Sequence, residues 1–370
     1  MSDVIEISEL RDAVRPVLTE LRAGAWPIPE EQGRGLDAAL WEQCAELGWL
    51  QLTLPEERGG LGLGFAHLRV VYEEMGRALG SVPYLSTMLA IEALSGTPGS
   101  GAIEGYLDAM AAGDCRAAIA LPQTHACLSL NGDGAITGTV GDVLFADVAD
   151  LLLLPVRTGN GHALAVISAK APEVVIRKRG LMDLTRSSAD VAIDVLSAGG
   201  FETVELDDAA WEGLLDHAVA GLACDSVGAS AALFELTLDY LNTREQFGRL
   251  IGSFQALKHR AADWKCSLEI AGALVRQSAG LVGSASPEAR AVASGARFVA
   301  CDTFAEFAGD AIQLHGGIGF TWEHPCHLFL KRAKLSQQLF GNSTFHKERV
   351  ARARFGESAA RSAAPDPVPA

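Results

Sequence analysis

Apolar residues recur at three- and four-residue intervals from Ile7 to about Gly113, as in LRDAVRPVL, ALWEQCAELGWL and LRVVYEEMGRAL. That spacing puts them on one face of a helix and predicts a mostly helical first region. Two of its helices are separated by LPEERGGLGLG, where four glycines and a proline interrupt regular structure. Between about Asp114 and Trp211 the texture changes to short β-prone runs, RAAIAL, ADLLLLPV, HALAVIS and EVVIRKR, with turns at NGDG, RTGNG and SAGG. A small sheet domain is expected there. From Leu214 long, weakly charged segments return at helical spacing, over Leu214–Asn242, Phe254–Gly283, Pro287–Leu314 and Cys326–Arg354, which predicts a four-helix bundle. The pattern divides the chain into a helical domain (1–113), a β-domain (114–212), a bundle (213–356) and an Ala-, Pro- and Ser-rich tail (357–370) expected to be disordered.

A chain of 370 residues is too long for one ordinary core, in keeping with several packed regions. With 49% hydrophobic and 21% charged residues, part of its surface is expected to be covered by other subunits. A formal charge of −16 argues against a nucleic-acid partner, whose phosphates require clustered cations. The seven cysteines are scattered and form no C-x-x-C pair, which argues against a disulfide framework or a metal site and favours a reducing cytoplasm. No signal or transit peptide is visible in MSDVIEISEL, and the apolar run at Leu151–Leu154 is far too short to span a membrane. A soluble, cytoplasmic protein is expected.

Three segments carry candidate chemistry. LPEERGGLGLGFAHLRVVYEEMGRALGSVP (Leu54–Pro83) is a proline, acid and paired-glycine loop leading into a helix with adjacent glutamates. Its bland reading is an ordinary interhelical loop. In YLNTREQFGRLIGSFQALKHRAAD (Tyr240–Asp263), Arg244 stands at the predicted end of a helix. A guanidinium there can hold a pair of phosphate oxygens, and otherwise it is a solvated helix-end charge. In QLHGGIGFTWEHPCHLFLKRAK (Gln313–Lys334), Gly316 and Gly317 allow a ligand to approach bare backbone, although paired glycines are more often helix caps.

Together these segments resemble the acyl-CoA dehydrogenase family, whose R-x-x-F-G-x-x-I-x-x-F-Q and Q-x-x-G-G-x-G signatures they match. The resemblance covers nearly all of the chain to about residue 355, with the sheet domain the poorest match. It implies an α+β fold with an N-terminal helical domain, a central β-domain and a C-terminal four-helix bundle, assembled as a dimer of dimers. It also implies FAD, with Arg244, Phe247, Gln255, Gln313, Gly316 and Gly317 touching the adenosine and pyrophosphate half of a cofactor whose flavin ring sits in a neighbouring subunit.

The pattern breaks where the family places its proton-abstracting glutamate. Counting from Ala333–Lys334 to Ala351–Arg352 sets LFGNS against the base-bearing segment and puts Phe340 at the base position. The alternative position, about 26 residues before Arg244 in other members, falls on Ala218. Neither side chain accepts a proton. Asp225 and His217 on the same predicted helix are conceivable relocated bases, at unfavourable spacing, and their plain readings are a bonded polar residue and a helix-start residue. The family's T-E-P-x-x-G-S-D and W-I-T stretches, which embrace the flavin ring, are replaced by ALPQTHACLSLNGDG and GDVLFADVAD. The expected role is therefore the base-lacking subunit of an α2β2 acyl-CoA dehydrogenase, sharing FAD with a partner subunit that carries the glutamate. An acyl-CoA substrate, by analogy a bulky or steroid side-chain ester, and an electron-transfer flavoprotein follow from the resemblance. A self-sufficient flavoenzyme with a relocated base, and an FAD-free structural paralogue, are the alternatives. Arg186 is a candidate CoA contact, while Arg249 and Lys258 read as surface charges.

Overall fold

The computed structural model describes residues 6–24, 35–96, 100–159 and 161–356; the tail expected to be disordered lies outside the described residues. The first region holds helices α1 (Ile7–Gly24), α2 (Ala38–Glu46), α3 (Phe65–Ala78), α4 (Tyr84–Ser95) and α5 (Gly101–Ala112). Their starts are written locally: the Asp37 side chain accepts from the Leu40 N–H at 3.1 Å, and Ser100 caps α5 in the same way. The glycine-rich loop separates α2 from α3, as expected.

Eight strands follow: β1 (Ala117–Ile119), β2 (Leu128–Leu130), β3 (Ile136–Leu144), β4 (Leu151–Thr158), β5 (Gly161–Ser168), β6 (Val174–Lys178), β7 (Ser188–Leu196) and β8 (Glu202–Glu205). Their order is β6-β7-β3-β2-β4-β5-β8, with β1 pairing parallel to β4. The unbroken LLLL of β4 is explained by burial on both faces. Leu152 and Leu154 enter the sheet's own core, while Leu151 and Leu153 join the large core shared with the helices.

The last region begins with α6 (Asp208–Thr243), six residues earlier than the pattern suggested, because Asp207 caps it by accepting from the Ala210 N–H at 2.8 Å. By length and composition α6 could cross a membrane, yet 72% of its most apolar window is buried inside the fold. A hairpin of β9 (Glu245–Gln246) and β10 (Arg249–Leu250) links it to α7 (Gln255–Ala279), and α8 (Pro287–His315) follows. The fourth expected helix is two, α9 (Cys326–Ser336) and α10 (Ser343–Phe355). Phe340 and Gly341 break it at φ 53° and 93°, and Asn342 caps the restart by accepting from the Phe345 N–H.

Helices α3 and α6 lie in backbone contact. A Cβ on Gly76 would stand 2.0 Å from the Asp225 carbonyl oxygen, and one on Gly228 would stand 1.8 Å from that of Glu73. Only glycine permits this approach, and it brings the charged residues of both helices to the same seam.

Candidate functional site

Two regions gather the chemistry, and they are built oppositely. The first is a corner where α6 and α8 end. Arg244 closes α6 with its N–H donating to the Tyr240 carbonyl at 2.9 Å, and its own carbonyl accepts from Ile251 N–H at 2.8 Å, so the hairpin returns onto the helix end. The tip is strained: Phe247 has φ 56° and is 90% exposed. Arg249 lies over the Phe254 ring at 3.9 Å. At the other helix end Gly316 has φ 65° and ψ −145°, a backbone region open essentially to glycine alone, and it releases the chain from α8.

A surface cleft of about 500 Å³ opens between these ends and is lined by Arg244, Gln313, Gly316 and Gly317, together with Tyr240 and His315. Four of the six residues expected to bind cofactor are therefore brought together. Phe247 and Gln255 are exposed nearby, at the hairpin tip and the first residue of α7, and do not line this cleft. Among the described residues no carboxylate pairs with Arg244. Nothing lies within 4 Å of the Cβ positions of Gly316 or Gly317. Packing does not demand a bare backbone there, and the vacant volume opens on the cleft. Tyr240 and His315 were not singled out by sequence reasoning, although both sit inside the quoted motifs.

The second region is interior, between α3, α6 and α9. Its cavity measures about 40 Å³ and is lined by Tyr72, Tyr84, Phe145, Arg186, Asp225 and Arg332. That is room for about one water and far too little for an acyl chain. Asp225 accepts from Arg332 Nε and Nη2 at 3.1 and 2.5 Å and from Arg186 Nη2 at 2.8 Å. Arg332 also donates to the Thr185 hydroxyl at 2.9 Å and the Gly80 carbonyl at 3.2 Å, and Arg186 donates to Ser336 Oγ at 2.9 Å. One buried charge network thus ties the N-terminal region, the sheet domain, α6 and α9 together.

This network overturns one expectation and bears on another. Arg186 is no outward CoA contact, since its side chain is 7% exposed and held by Asp225. Asp225 is no poised base: burial alone would raise its pKa, but the charges of Arg332 and Arg186 outweigh burial and hold the carboxyl below its ordinary value. His217 is not a helix-start residue either. It lies buried within α6, bonded through Nε2 to the Tyr72 hydroxyl at 2.7 Å and through Nδ1 to Glu92. Ala218 is fully buried in the core. Phe340 is 6% exposed, and its carbonyl accepts from His346 Nε2 at 2.9 Å, which fixes the turn between α9 and α10.

A further cleft of about 460 Å³ lies where that turn meets the sheet, lined by Thr124, His125, Gly141, Asp142, Phe340 and Gly341 among others. Two of its polar side chains are engaged within the chain, while the buried Ser188 Oγ has no partner among the described residues. Asp142 pairs with Arg179 at 2.9 Å, and His125 Nδ1 reaches the Leu121 carbonyl and the Thr124 hydroxyl. Among the described residues, no group of three or more His, Cys, Asp or Glu side chains could hold a metal ion.

Comparison with known proteins shows the family. Residues 6–114 match the N-terminal domain of acyl-CoA dehydrogenases and residues 208–355 the C-terminal domain. The chain is 33% identical to the acyl-CoA dehydrogenase IpdE2 of Mycolicibacterium smegmatis over 84% of its length and 86% of that protein's. It is 35% identical to IpdE2 of Mycobacterium tuberculosis, over 83% of both. Among solved structures, the Tcur3481–Tcur3483 steroid ACAD superposes with a TM-score of 0.82 at 26% identity, covering 94% of this chain and 97% of that one. The ChsE4–ChsE5 complex of Mycobacterium tuberculosis shares the fold, with a TM-score of 0.83 at 24% identity over 97% and 98%.

Proposed function

Since this chain belongs to the acyl-CoA dehydrogenase family, whose members are FAD-binding oxidoreductases, we propose that it is the base-lacking subunit of a heterotetrameric enzyme of that family. It would contribute one half of a shared FAD site. The cofactor, when bound, supplies the acceptor for hydride leaving the acyl β-carbon. Arg244 would hold the pyrophosphate, and Gln313, Gly316 and Gly317 the adenosine side. The residues fit such a group, because an unpaired guanidinium and two Cβ-free positions border an open cleft. The partner subunit would supply the flavin-ring contacts and the glutamate.

The observation that carries this reading is a contrast in chemistry: the outward cleft of about 500 Å³ is bordered by Arg244 and two glycines, whereas the cleft of about 460 Å³ beside α9 presents Phe340 where the family places its glutamate. Phenylalanine cannot accept a proton, so the chain's surviving chemistry points towards a neighbour. The ChsE4–ChsE5 relative is a complex of two named components, and Tcur3481–Tcur3483 is described as a steroid ACAD. These descriptions favour a paired assembly and a bulky, steroid-type CoA ester as substrate. Electron transfer onward to a flavoprotein acceptor belongs to the same reading.

The test is mass and flavin content after expression alone and with a candidate partner subunit. Two FAD per four chains, on co-expression only, supports the shared site. A flavin-loaded homotetramer that oxidises acyl-CoA would sink it. One observation favours the relocated-base alternative: Tyr72 lines the inner cavity and is linked through His217 to Glu92, whose side chain is 39% exposed. Under that reading His217→Ala abolishes turnover by the homotetramer. Under ours it lowers only stability.

A further inference from the structure

We infer that Tyr240 is the wall of the outward cleft against which a nucleoside base packs, with His315 and His324 as positioning residues behind it. The inference rests on reading this cleft as the adenosine and pyrophosphate half of a dinucleotide site. Tyr240 stands one helical turn before Arg244, so both side chains project from the same face of α6. Its half-buried ring lines the cleft beside Gln313, Gly316 and Gly317.

The ring is held from behind by two others. The His315 ring stacks on Tyr240 with centroids 4.6 Å apart and planes at 27°, and His324 packs on His315 at 4.5 Å. His324 also meets Tyr240 directly, edge-on at 6.5 Å. Three separate stretches of chain, the end of α6, the end of α8 and the segment before α9, thus converge on one aromatic stack. His315 Nδ1 donates to the Ala311 carbonyl at 2.8 Å, and its buried Nε2 has no partner among the described residues. Cys326 Sγ also lies 3.8 Å from Nδ1, so the ring's orientation is set by these contacts and by its ring neighbours.

The stack is also uncharged. Burial first, and then the neighbouring His315 and His327, hold His324 down to about 4, and burial lowers His315 as well. A neutral aromatic surface, a Cβ-free floor and a single guanidinium at the edge are complementary to a base, a ribose and a phosphate in that order. Stacking tolerates any flat heterocycle, so the rings supply affinity and Arg244 supplies the register.

The experiment measures ADP and FAD affinity by titration calorimetry on the flavin-stripped complex of this chain with its partner subunit. Tyr240→Ala is expected to weaken both ligands roughly 5- to 150-fold, the range for loss of one base–aromatic stack. Tyr240→Phe keeps the ring and restores binding to about twofold of the parent. His315→Ala weakens binding less, and the ring-preserving His315→Phe recovers it, while the visible spectrum of rebound flavin is unchanged in all four. The inference is overturned if Tyr240→Ala binds ADP normally while Arg244→Ala does not, or if His315→Phe loses as much as His315→Ala. Normal binding by Arg244→Ala as well would remove the dinucleotide reading of the cleft itself, and this inference with it.

Discussion

The corner at the ends of α6 and α8 and the interior between α3, α6 and α9 use the same residue types to opposite ends. In the interior, Arg186 and Arg332 are consumed by Asp225, whose carboxylate accepts from both. At the corner, Arg244 faces solvent with no carboxylate partner among the described residues, and Phe247 is 90% exposed on a strained tip. A region that satisfies itself contributes stability, and one left unsatisfied at the surface is available to another molecule. The comparison teaches that one chain can spend the same kinds of side chain on its own cohesion in one place and leave them open to another molecule in a second.

The comparison breaks most visibly if the interior is attacked. Arg332→Ala leaves Asp225 with Arg186 alone inside a buried site and should destabilise the chain by about 3–5 kcal/mol in chemical denaturation. A change under 1 kcal/mol would mean that the network does not serve the chain's own cohesion. Gly228→Ala drives a Cβ to within 1.8 Å of the Glu73 carbonyl, and α3 and α6 must separate. A cost of about 1–3 kcal/mol is expected, read as a lowered melting temperature.

At the corner, Arg244→Ala should leave the melting temperature unchanged, because the side chain has no carboxylate partner among the described residues. It should nonetheless lower flavin affinity of the assembled complex roughly 10- to 100-fold, the worth of a charge-assisted hydrogen bond to phosphate. Unchanged flavin content would favour the FAD-free paralogue instead. A pH titration sharpens the contrast further. Asp225 has a folded-state pKa below its unfolded value, so its network is fully stabilising above the ordinary aspartate range and is lost as pH falls through and below about 4. The wild-type chain should lose stability over that window, and Asp225→Asn, weaker at neutral pH, should lose less. The smallest effect belongs to Phe247→Ala, within about 0.5 kcal/mol in the isolated chain, with any larger consequence confined to assembly.

Much of this was legible along the chain because it is local. The alternation of apolar spacing and turn residues carries the helical, sheet and helical order, while the caps at Asp37 and Ser100, single side chains, are visible only beside the helices they start. Asp207–Asp208 was an equally local signal for the early start of α6, and Gly341–Asn342 for the break between α9 and α10, yet apolar periodicity masked both. The corner residues were visible because Arg244 and Gln313 lie in compact motifs. The interior network was not, since Asp225 meets Arg186 from 39 positions away and Arg332 from 107. No spacing rule reports a contact made by tertiary packing. The role of Gly76 and Gly228 was hidden for the same reason, because a missing side chain acquires meaning only from what approaches it.

The empty space around the Cβ position of Gly317 carries one more consequence. Its backbone is not left-handed, so alanine fits there without strain, and by restricting the unfolded chain should stabilise the folded one by about 0.4–1 kcal/mol. A library of random variants ranked by heat resistance of this chain alone should therefore accumulate alanine at position 317. The same library ranked by retained flavin colour in the complex should purge it. Divergence between those two rankings, residue by residue, would trace the footprint of the absent ligand without a single structure of the assembly.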